Sequence, residues 1–287
     1  MPRLIVNADD FGLTPGVNRS IVELARVRGL SSATLMATSH ALNEAITLAR
    51  TTPQLGVGCH VVLVDGTCAA EPGKIATLAS PNGEFRHTLG EFVRDLILRR
   101  IREEHIEAEA IAQITRLQQA GIDLTHLDTH KHTHMFPAVL RPVLRAALRC
   151  GIRAIRNPFE AKWAIQATTH AEAKVSTVRL FEIAILNRYR SRFVRSVRAA
   201  GLVTTDGALG VLATGILDRK ILTNLLRQVP SGTWELVCHP AYPDAELAAI
   251  RTKLRESRGV EHEALHRTLP TELDANRRLK LISFDDL

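Results

Sequence analysis

The sequence predicts an α/β protein with a parallel sheet and helical crossovers, in one domain. Short apolar runs such as Leu4–Val6 and 55–64 have the pattern of strands buried on both faces. These runs alternate with helical patterns through short links, which is typical of parallel sheets. The chain has 287 residues and no composition break that resembles a linker, so its length suits a single α/β barrel.

The predicted elements follow one another from the first strand onward. Thr14 as N-cap and Pro15 at the first position begin a helix, which Gly29 ends. A β-prone segment covers 32–38, a helix 41–50 and a strand 55–64, and turn residues mark 67–87 as a long loop. The later predictions are helices at 89–100, 101–119, 137–149, 175–201, 218–228 and 244–256 and strands at 152–156 and 234–238, and a terminal stretch with several apolar residues follows without an assigned element.

A histidine-rich stretch, 124–134, is predicted to be a strand and its outgoing loop. Alternate residues of an extended chain point to the same side, so His130, His132 and His134 would stand in one row. Neutral imidazole is the commonest metal ligand at physiological pH. The row could therefore contribute to a metal site, or it could be a histidine-rich surface run. The other motifs of the chain distinguish these two interpretations.

Chemically active side chains occur at four predicted strand ends. Asp9 and Asp10 end the first strand, and His60, the His130 cluster and His239 end later ones. The carboxyl ends of parallel strands form the site face of α/β folds. Asp10, His60 and one histidine of the cluster would give a three-ligand hydrolytic metal centre. Asp9 would then be free as a general base for the attacking water, and His239 could protonate a leaving amine.

Charge and cysteine content exclude several classes of protein. The net charge of +7 suits an anionic partner, but the chain has no basic tail, no zinc-finger spacing and no aromatic–basic interleaving, so nucleic acid is not expected. The four cysteines lack CxxC spacing and are expected to be reduced thiols in a cytoplasmic protein. We expect neither a signal peptide nor a transmembrane helix.

The predicted helix 175–201 is basic and amphipathic. Arg188, Arg192 and Arg195 line one side of it. The other side is apolar and carries Leu186, Tyr189, Phe193 and Val197. Such a helix either rests on an anionic bilayer surface or is a solvated outer helix of the fold.

Taken together, these motifs resemble the YdjC-like carbohydrate deacetylases (chitooligosaccharide deacetylase-like). The matching stretches are 5–13 (IVNADDFGL), 58–60 (GCH), 125–134 (THLDTHKHTH) and 238–241 (CHPA), in the order of the family. The resemblance implies a distorted (β/α) barrel, TIM-like and seven-stranded, that forms a single deacetylase domain over 1–287 with 175–201 as a helical insertion. It also implies a divalent-metal-dependent hydrolase that removes the acetyl group from N-acetylglucosamine-type sugars.

The resemblance assigns roles by position. Asp10, His60 and His130 match the metal ligands, Asp9 the general base and His239 the group near the leaving amine. A second set is expected to support the ligands or to contact the substrate: His132, His134, Asp128 and Arg156. Thr129 and Lys131 depart from the residues commonly found at their positions, without removing a ligand. One divalent ion is expected, Zn or Mg, with Mn or Co as alternatives.

A narrower resemblance, to the hopanoid-biosynthesis-associated HpnK branch, concerns the substrate. It rests on 61–66 (VVLVDG), 151–160 (GIRAIRNPFE) and 235–240 (ELVCHP). It implies an acetylglucosaminyl hopanoid lipid, and hence peripheral contact with the inner face of the membrane; family resemblance also makes a homodimer an expectation. The alternatives are a deacetylase of soluble chitooligosaccharides such as diacetylchitobiose, a glycosidase with Asp9 and Asp10 as its carboxylates, and a non-catalytic metal- or sugar-binding protein.

Overall fold

The structure, a computed structural model, describes residues 1–171 and 175–287. The strands are β1 (Pro2–Phe11), β2 (Ser32–Leu35), β3 (Gly56–Val61), β4 (Leu124–Thr129), β5 (Ala154–Ile155), β6 (Gly207–Leu209), β7 (Gly232–Cys238) and β8 (Lys280–Leu281). The helices are α1 (Pro15–Arg26), α2 (Leu42–Arg50), α3 (Leu89–Ile97), α4 (Glu103–Gln119), α5 (Pro137–Arg149), α6 (Lys162–His170), α7 (Thr177–Leu186), α8 (Arg190–Ala199), α9 (Arg219–Arg227), α10 (Ala245–Ala249) and α11 (Glu256–Ala275).

Seven strands form one parallel sheet in the order β5-β4-β3-β2-β1-β7-β6. The short strand β8 pairs with the N-terminal end of β1, at Arg3 and Leu4. At the open edge of the sheet, Ala154 of β5 forms a single bridge to Val203, and Glu160 beyond β5 forms another to Ala208 of β6. These bridges close the barrel irregularly. The predicted α/β class and distorted seven-stranded barrel are therefore confirmed.

The sequence pattern explains the layers around this sheet. β1, β2 and β3 are buried almost throughout, as strands covered on both faces must be. The Thr14 hydroxyl accepts a hydrogen bond from the Val17 amide and caps α1, as predicted. Cys59 and Cys238 are fully buried free thiols, which agrees with the expectation of reduced cysteines.

The C-terminal segment packs against the inside of the barrel. Ile282 and Phe284 form a separate apolar cluster with Ile5 of β1 and Ala154 of β5. The Phe284 ring stacks on the His126 ring of β4, with centroids 3.7 Å apart. This segment, for which the sequence pattern assigns no element, thus fills barrel space that the strands leave open.

The prediction that three histidines share one face of a strand is wrong. β4 ends at Thr129, and residues His130–Met135 form a 3₁₀ turn in which Lys131 and His132 have left-handed backbone, φ 55° and 52°. The Thr129 hydroxyl holds this turn, since it lies 3.0 Å from the His134 amide and 2.7 Å from His134 Nδ1. The turn breaks the row: His130 and His132 line the same cleft, whereas His134 is buried outside it.

Two helical predictions also need correction. The helix predicted at 244–256 is only the short α10, and the terminal stretch instead begins with the 20-residue α11. Gly259 and Pro270 inside α11 weaken its sequence signal. The helix predicted at 175–201 is two helices, α7 and α8, joined by a 3₁₀ turn at Asn187–Tyr189. No helix within the described ranges has the length and apolar character needed to cross a bilayer.

Candidate metal centre and its cleft

An irregularity at the end of β1 brings two adjacent carboxylates to one site. Neighbouring residues of a regular strand point to opposite faces. The pairing register with β2 shifts between Ala8 and Phe11, and Asp10 has left-handed backbone with φ 66°. A bulge of this kind redirects a side chain. Asp9 and Asp10 are both buried, and both line the same cleft.

Asp10, His60 and His130 meet at the predicted position. His60 Nε2 lies 3.2 Å from His130 Nδ1 and 3.5 Å from Asp10 Oδ1. The third distance, from His130 Nδ1 to Asp10 Oδ1, is 3.4 Å. Ligand atoms about 2.0–2.1 Å from a tetrahedral ion lie about 3.3–3.4 Å apart. The triangle therefore has the dimensions of a divalent-metal site.

Asp128 sets the protonation of His60. Its Oδ1 lies 2.7 Å from His60 Nδ1, which places a proton on Nδ1 and directs the Nε2 lone pair to the triangle. Burial lowers the pKa of His60, but the charge of Asp128, with those of Asp9 and Asp10, raises it to about 9. A divalent cation would take the place of the second imidazole proton, so the donor set fits the metal that the sequence implied.

Arg156 lies beneath the site and neutralises its carboxylates. It is fully buried and donates to both oxygens of Asp9, over 2.6 and 2.9 Å, and to Glu235 Oε1 over 2.6 Å. It also pairs with Asp128. Burial would raise the pKa of Asp9, but the guanidinium outweighs it and keeps the carboxyl ionised. Asp9, His60 and Asp128 also lie within ligand distance of one another, but Arg156 already supplies the positive charge there.

His239 leaves β7 beside Asp9. Its Nε2 is 3.7 Å from Asp9 Oδ2, and its backbone amide donates to Glu261 Oε2 over 2.6 Å. Burial lowers the pKa of His239 to about 4, so the ring is neutral near pH 7. Within the described chain His239 Nδ1 is buried without a hydrogen-bond partner.

These groups form the floor of a cleft of about 760 Å³. His132 lines the cleft, and burial lowers its pKa to about 3. His134 does not line it: the side chain is fully buried between Thr129 and the Arg156 carbonyl, 3.3 Å from Nε2. His134 therefore lies behind the cleft floor, away from the space that a substrate would occupy. Arg156 and Asp128 are likewise fully buried and do not line the cleft.

Several site residues were not predicted. Arg258 of α11 donates to Asp10 Oδ2 over 2.5 Å, and Thr34 of β2 has its hydroxyl 3.2 Å from His60 Nδ1 and 3.3 Å from Asp128 Oδ2. Glu235 and Glu261 complete the buried layer; burial raises the pKa of each to about 7. Glu235 lies inside a recognised motif, whereas nothing local distinguishes Arg258 from the other arginines of the chain.

Comparison with known proteins identifies the family of this chain. The family model described as YdjC-like protein matches residues 3–271. The chain belongs to the YdjC-like family. One relative is the carbohydrate deacetylase of Geobacillus stearothermophilus, which is 33% identical over 87% of this chain and 84% of its own length. Another is the carbohydrate deacetylase of Thermoanaerobacter pseudethanolicus, which is 29% identical over 92% of this chain and 91% of its own length.

Solved structures extend the likeness to the fold. An Enterococcus faecalis V583 protein has a TM-score of 0.77 at 23% identity and covers 99% of this YdjC-like chain and 98% of its own. The lactam utilization protein of Thermus thermophilus has a TM-score of 0.54 at 14% identity, with 98% and 99% covered. At these identities the comparison supports the barrel alone.

Proposed function

We propose that this protein is a divalent-metal-dependent deacetylase that hydrolyses the acetamide of an N-acetylglucosamine-type sugar. The observation that carries the proposal is the triangle of Asp10 Oδ1, His60 Nε2 and His130 Nδ1 at the floor of an open cleft, with Asp9 and His239 beside it. The curated relatives described as carbohydrate deacetylases support the reaction class.

Asp10, His60 and His130 would hold the ion, which when bound supplies Lewis-acid chemistry that polarises the acetyl carbonyl and acidifies water. Asp9, ionised beside Arg156, accepts the proton of the attacking water. His239, whose Nε2 lies 3.7 Å from Asp9 Oδ2, would take that proton from Asp9 and pass it to the departing amine. Two imidazoles and one carboxylate suit Zn, with Mg, Mn and Co as further candidates.

The cleft walls favour an apolar group next to the sugar. Six aliphatic side chains line the cleft: Leu13, Met36, Leu89, Val211, Ile250 and Leu254. Among its lining residues in the described chain there is no Trp, Tyr or Phe. The face of an aromatic ring attracts the C–H face of a sugar, so a groove for successive sugars would be expected to carry such rings. This favours the lipid-linked substrate of the HpnK-type interpretation over a soluble chitooligosaccharide.

An exposed apolar ridge lies beside this cleft and supports peripheral membrane contact. Val178, Phe181, Ile185 and Tyr189, spaced by three or four residues along α7 and its outgoing turn, are 64%, 68%, 44% and 46% exposed. Arg179 of the same helix lines the cleft. The ridge would therefore enter the lipid next to the cleft mouth, at the inner face of the membrane of a cytoplasmic enzyme.

The predicted basic face adjoins the ridge. Arg188, Arg192 and Arg195 are exposed, while Phe193 and Val197, predicted opposite them, are buried in the protein. Each arginine near an anionic bilayer contributes about 1 kcal/mol to binding. The three together would strengthen binding on the order of 100-fold.

Acetate release from N-acetylglucosaminyl substrates, with and without chelator, tests the reaction. The proposal expects free acetate, loss of activity with chelator and recovery with added Zn²⁺ or Mg²⁺. A glycosidase would release sugar and a binding protein nothing, and either result would refute the deacetylase assignment. Comparing an acetylglucosaminyl hopanoid with diacetylchitobiose then tests the preference for a lipid-linked sugar.

Liposome flotation tests membrane contact separately from activity. The protein should float with vesicles that contain anionic lipid and lose binding on the order of 100-fold when Arg188, Arg192 and Arg195 are replaced by Gln. Phe181→Ser should weaken binding, whereas Ile97→Ser, at an equally exposed apolar position on α3, should not. Failure to float, with a ridge-dependent dimer in light scattering, would assign the ridge to the expected homodimer instead.

A further inference from the structure

Arg258 connects a distant helix to the metal-site aspartate. It lies in the first turn of α11, 248 residues from Asp10, and its side chain is 2% exposed. Its Nη2 donates to Asp10 Oδ2 over 2.5 Å, and its Nε donates to the Leu254 carbonyl over 3.1 Å. The guanidinium is planar and rigid, so two fixed donors determine its orientation.

The two oxygens of Asp10 are thereby divided between different partners. Oδ1 faces the two imidazoles, 3.5 Å from His60 Nε2 and 3.4 Å from His130 Nδ1. Oδ2 is occupied by Arg258. Burial would raise the pKa of Asp10, but Arg258, with His130 and His60, keeps it well below its usual value. The carboxylate can thus present one oxygen to a cation, and it cannot rotate without breaking a buried, charge-assisted hydrogen bond.

The first turns of α11 are themselves fixed to the site. The Arg258 carbonyl accepts a hydrogen bond from the Ala241 amide over 3.2 Å, just beyond β7. Glu261, one turn further along, accepts the His239 amide over 2.6 Å. Arg258 therefore stands on a backbone that is anchored on the strand next to β1.

We propose that Arg258 is a positioning residue that makes Asp10 a one-oxygen metal ligand. This inference rests on the proposed metal site but not on the identity of the substrate. Partners that orient a metal ligand typically change metal affinity by about 10- to 100-fold when they are removed. The charge of Arg258 acts in the opposite direction, since a nearby cation repels a metal ion. Positioning and charge therefore predict opposite changes in affinity.

The test compares Arg258→Met with the wild type after removal of metal by chelator. Zn²⁺ titration should show a dissociation constant at least about tenfold higher in the variant. With Co²⁺, the visible absorption band should lose intensity, because a freed Asp10 can add its second oxygen and raise the coordination number. Arg267→Met serves as control: it is an exposed arginine on the same helix that pairs with Glu263.

The outcomes separate the explanations. Unchanged Co²⁺ absorption, or Zn²⁺ affinity equal to or tighter than wild type, would overturn the positioning role. If Arg258→Met does not fold, judged by thermal melting of the metal-free protein, Arg258→Lys takes its place. The Arg258→Lys variant keeps the positive charge but lacks the second fixed donor. We therefore expect it to show the same loss of Co²⁺ absorption intensity. Absence of Zn²⁺ and Co²⁺ binding by the wild type would instead refute the metal site itself.

Discussion

Replacing Asp128 by Asn should weaken metal binding although the new side chain has the same shape. Asp128 is fully buried, and each of its oxygens accepts from a different donor: Oδ1 from His60 Nδ1 over 2.7 Å and Oδ2 from Arg156. An amide has one oxygen. If that oxygen faces His60, the NH₂ group is turned against Arg156. If it faces Arg156, the NH₂ donates to His60 Nδ1, and the proton moves to the Nε2 that should bind the metal.

The size of the effect follows from these contacts. A hydrogen bond to a charged group contributes about 1.5–3 kcal/mol, and water cannot replace it at a fully buried position. Loss of an outer partner of a metal-binding histidine costs about 10- to 100-fold in affinity, which corresponds to about 1.4–2.7 kcal/mol. The two ranges overlap, so we expect Asp128→Asn to raise the Zn²⁺ dissociation constant by about 10- to 100-fold.

Competition with a fluorescent zinc chelator at pH 7.5 measures this change. Asp65→Asn is the matched control, because Asp65 also lines the cleft but pairs with Lys131, 2.6 Å away, and not with a proposed ligand. Zinc affinity of Asp128→Asn equal to that of the control, in a folded protein, would show that Asp128 does not orient His60 and would refute the reasoning.

Three further predictions concern catalysis and stability. Asp9→Asn should retain zinc affinity but lower kcat by about 10²- to 10⁴-fold in the acetate assay, because the proton acceptor is lost. Phe284→Ala should lower the free energy of unfolding by about 3–5 kcal/mol in urea titrations, since it empties the contact with His126. Hydrogen bonds from Arg86 and Arg94 lower the pKa of Asp95 from its ordinary 3.8 to about 2. The ionised Asp95 therefore stabilises the fold fully above about pH 3.8, and this stabilisation is lost as the pH falls to about 2. Asp95→Asn should therefore show a smaller loss of stability than wild type between pH 5 and pH 2.

Each of these has a distinct contrary result. Normal turnover by Asp9→Asn would exclude Asp9 as the base, and loss of zinc would make it a ligand. A Phe284→Ala protein as stable as wild type would show that the C-terminal segment is dispensable for the barrel. Equal acid sensitivity of Asp95→Asn and wild type would mean that the pairing of Asp95 with Arg86 does not favour the folded state.

The sequence by itself determined the fold class and the strand-end residues of the site. Continuous apolar runs and amphipathic helices in alternation imply a parallel sheet, and a parallel sheet collects its strand ends on one side. Asp9, Asp10, His60, His239 and the 130–134 histidine cluster could therefore be assigned to one site without coordinates, and the family resemblance then pointed to His130 within the cluster. The apolar periodicity of each segment suffices to recognise the strands and helices, because it depends only on residues that are close together in the sequence.

Tertiary structure decided which atoms meet and which side chains hold them. The bulge at Asp10 and the left-handed turn after His130 are backbone departures that period-two alternation cannot anticipate, and they leave His134 outside the cleft. Arg258 reaches Asp10 from 248 positions away, on a helix whose signal Gly259 and Pro270 obscure. The pairing of buried charges depends on the way distant elements pack, and no local pattern in the sequence encodes that.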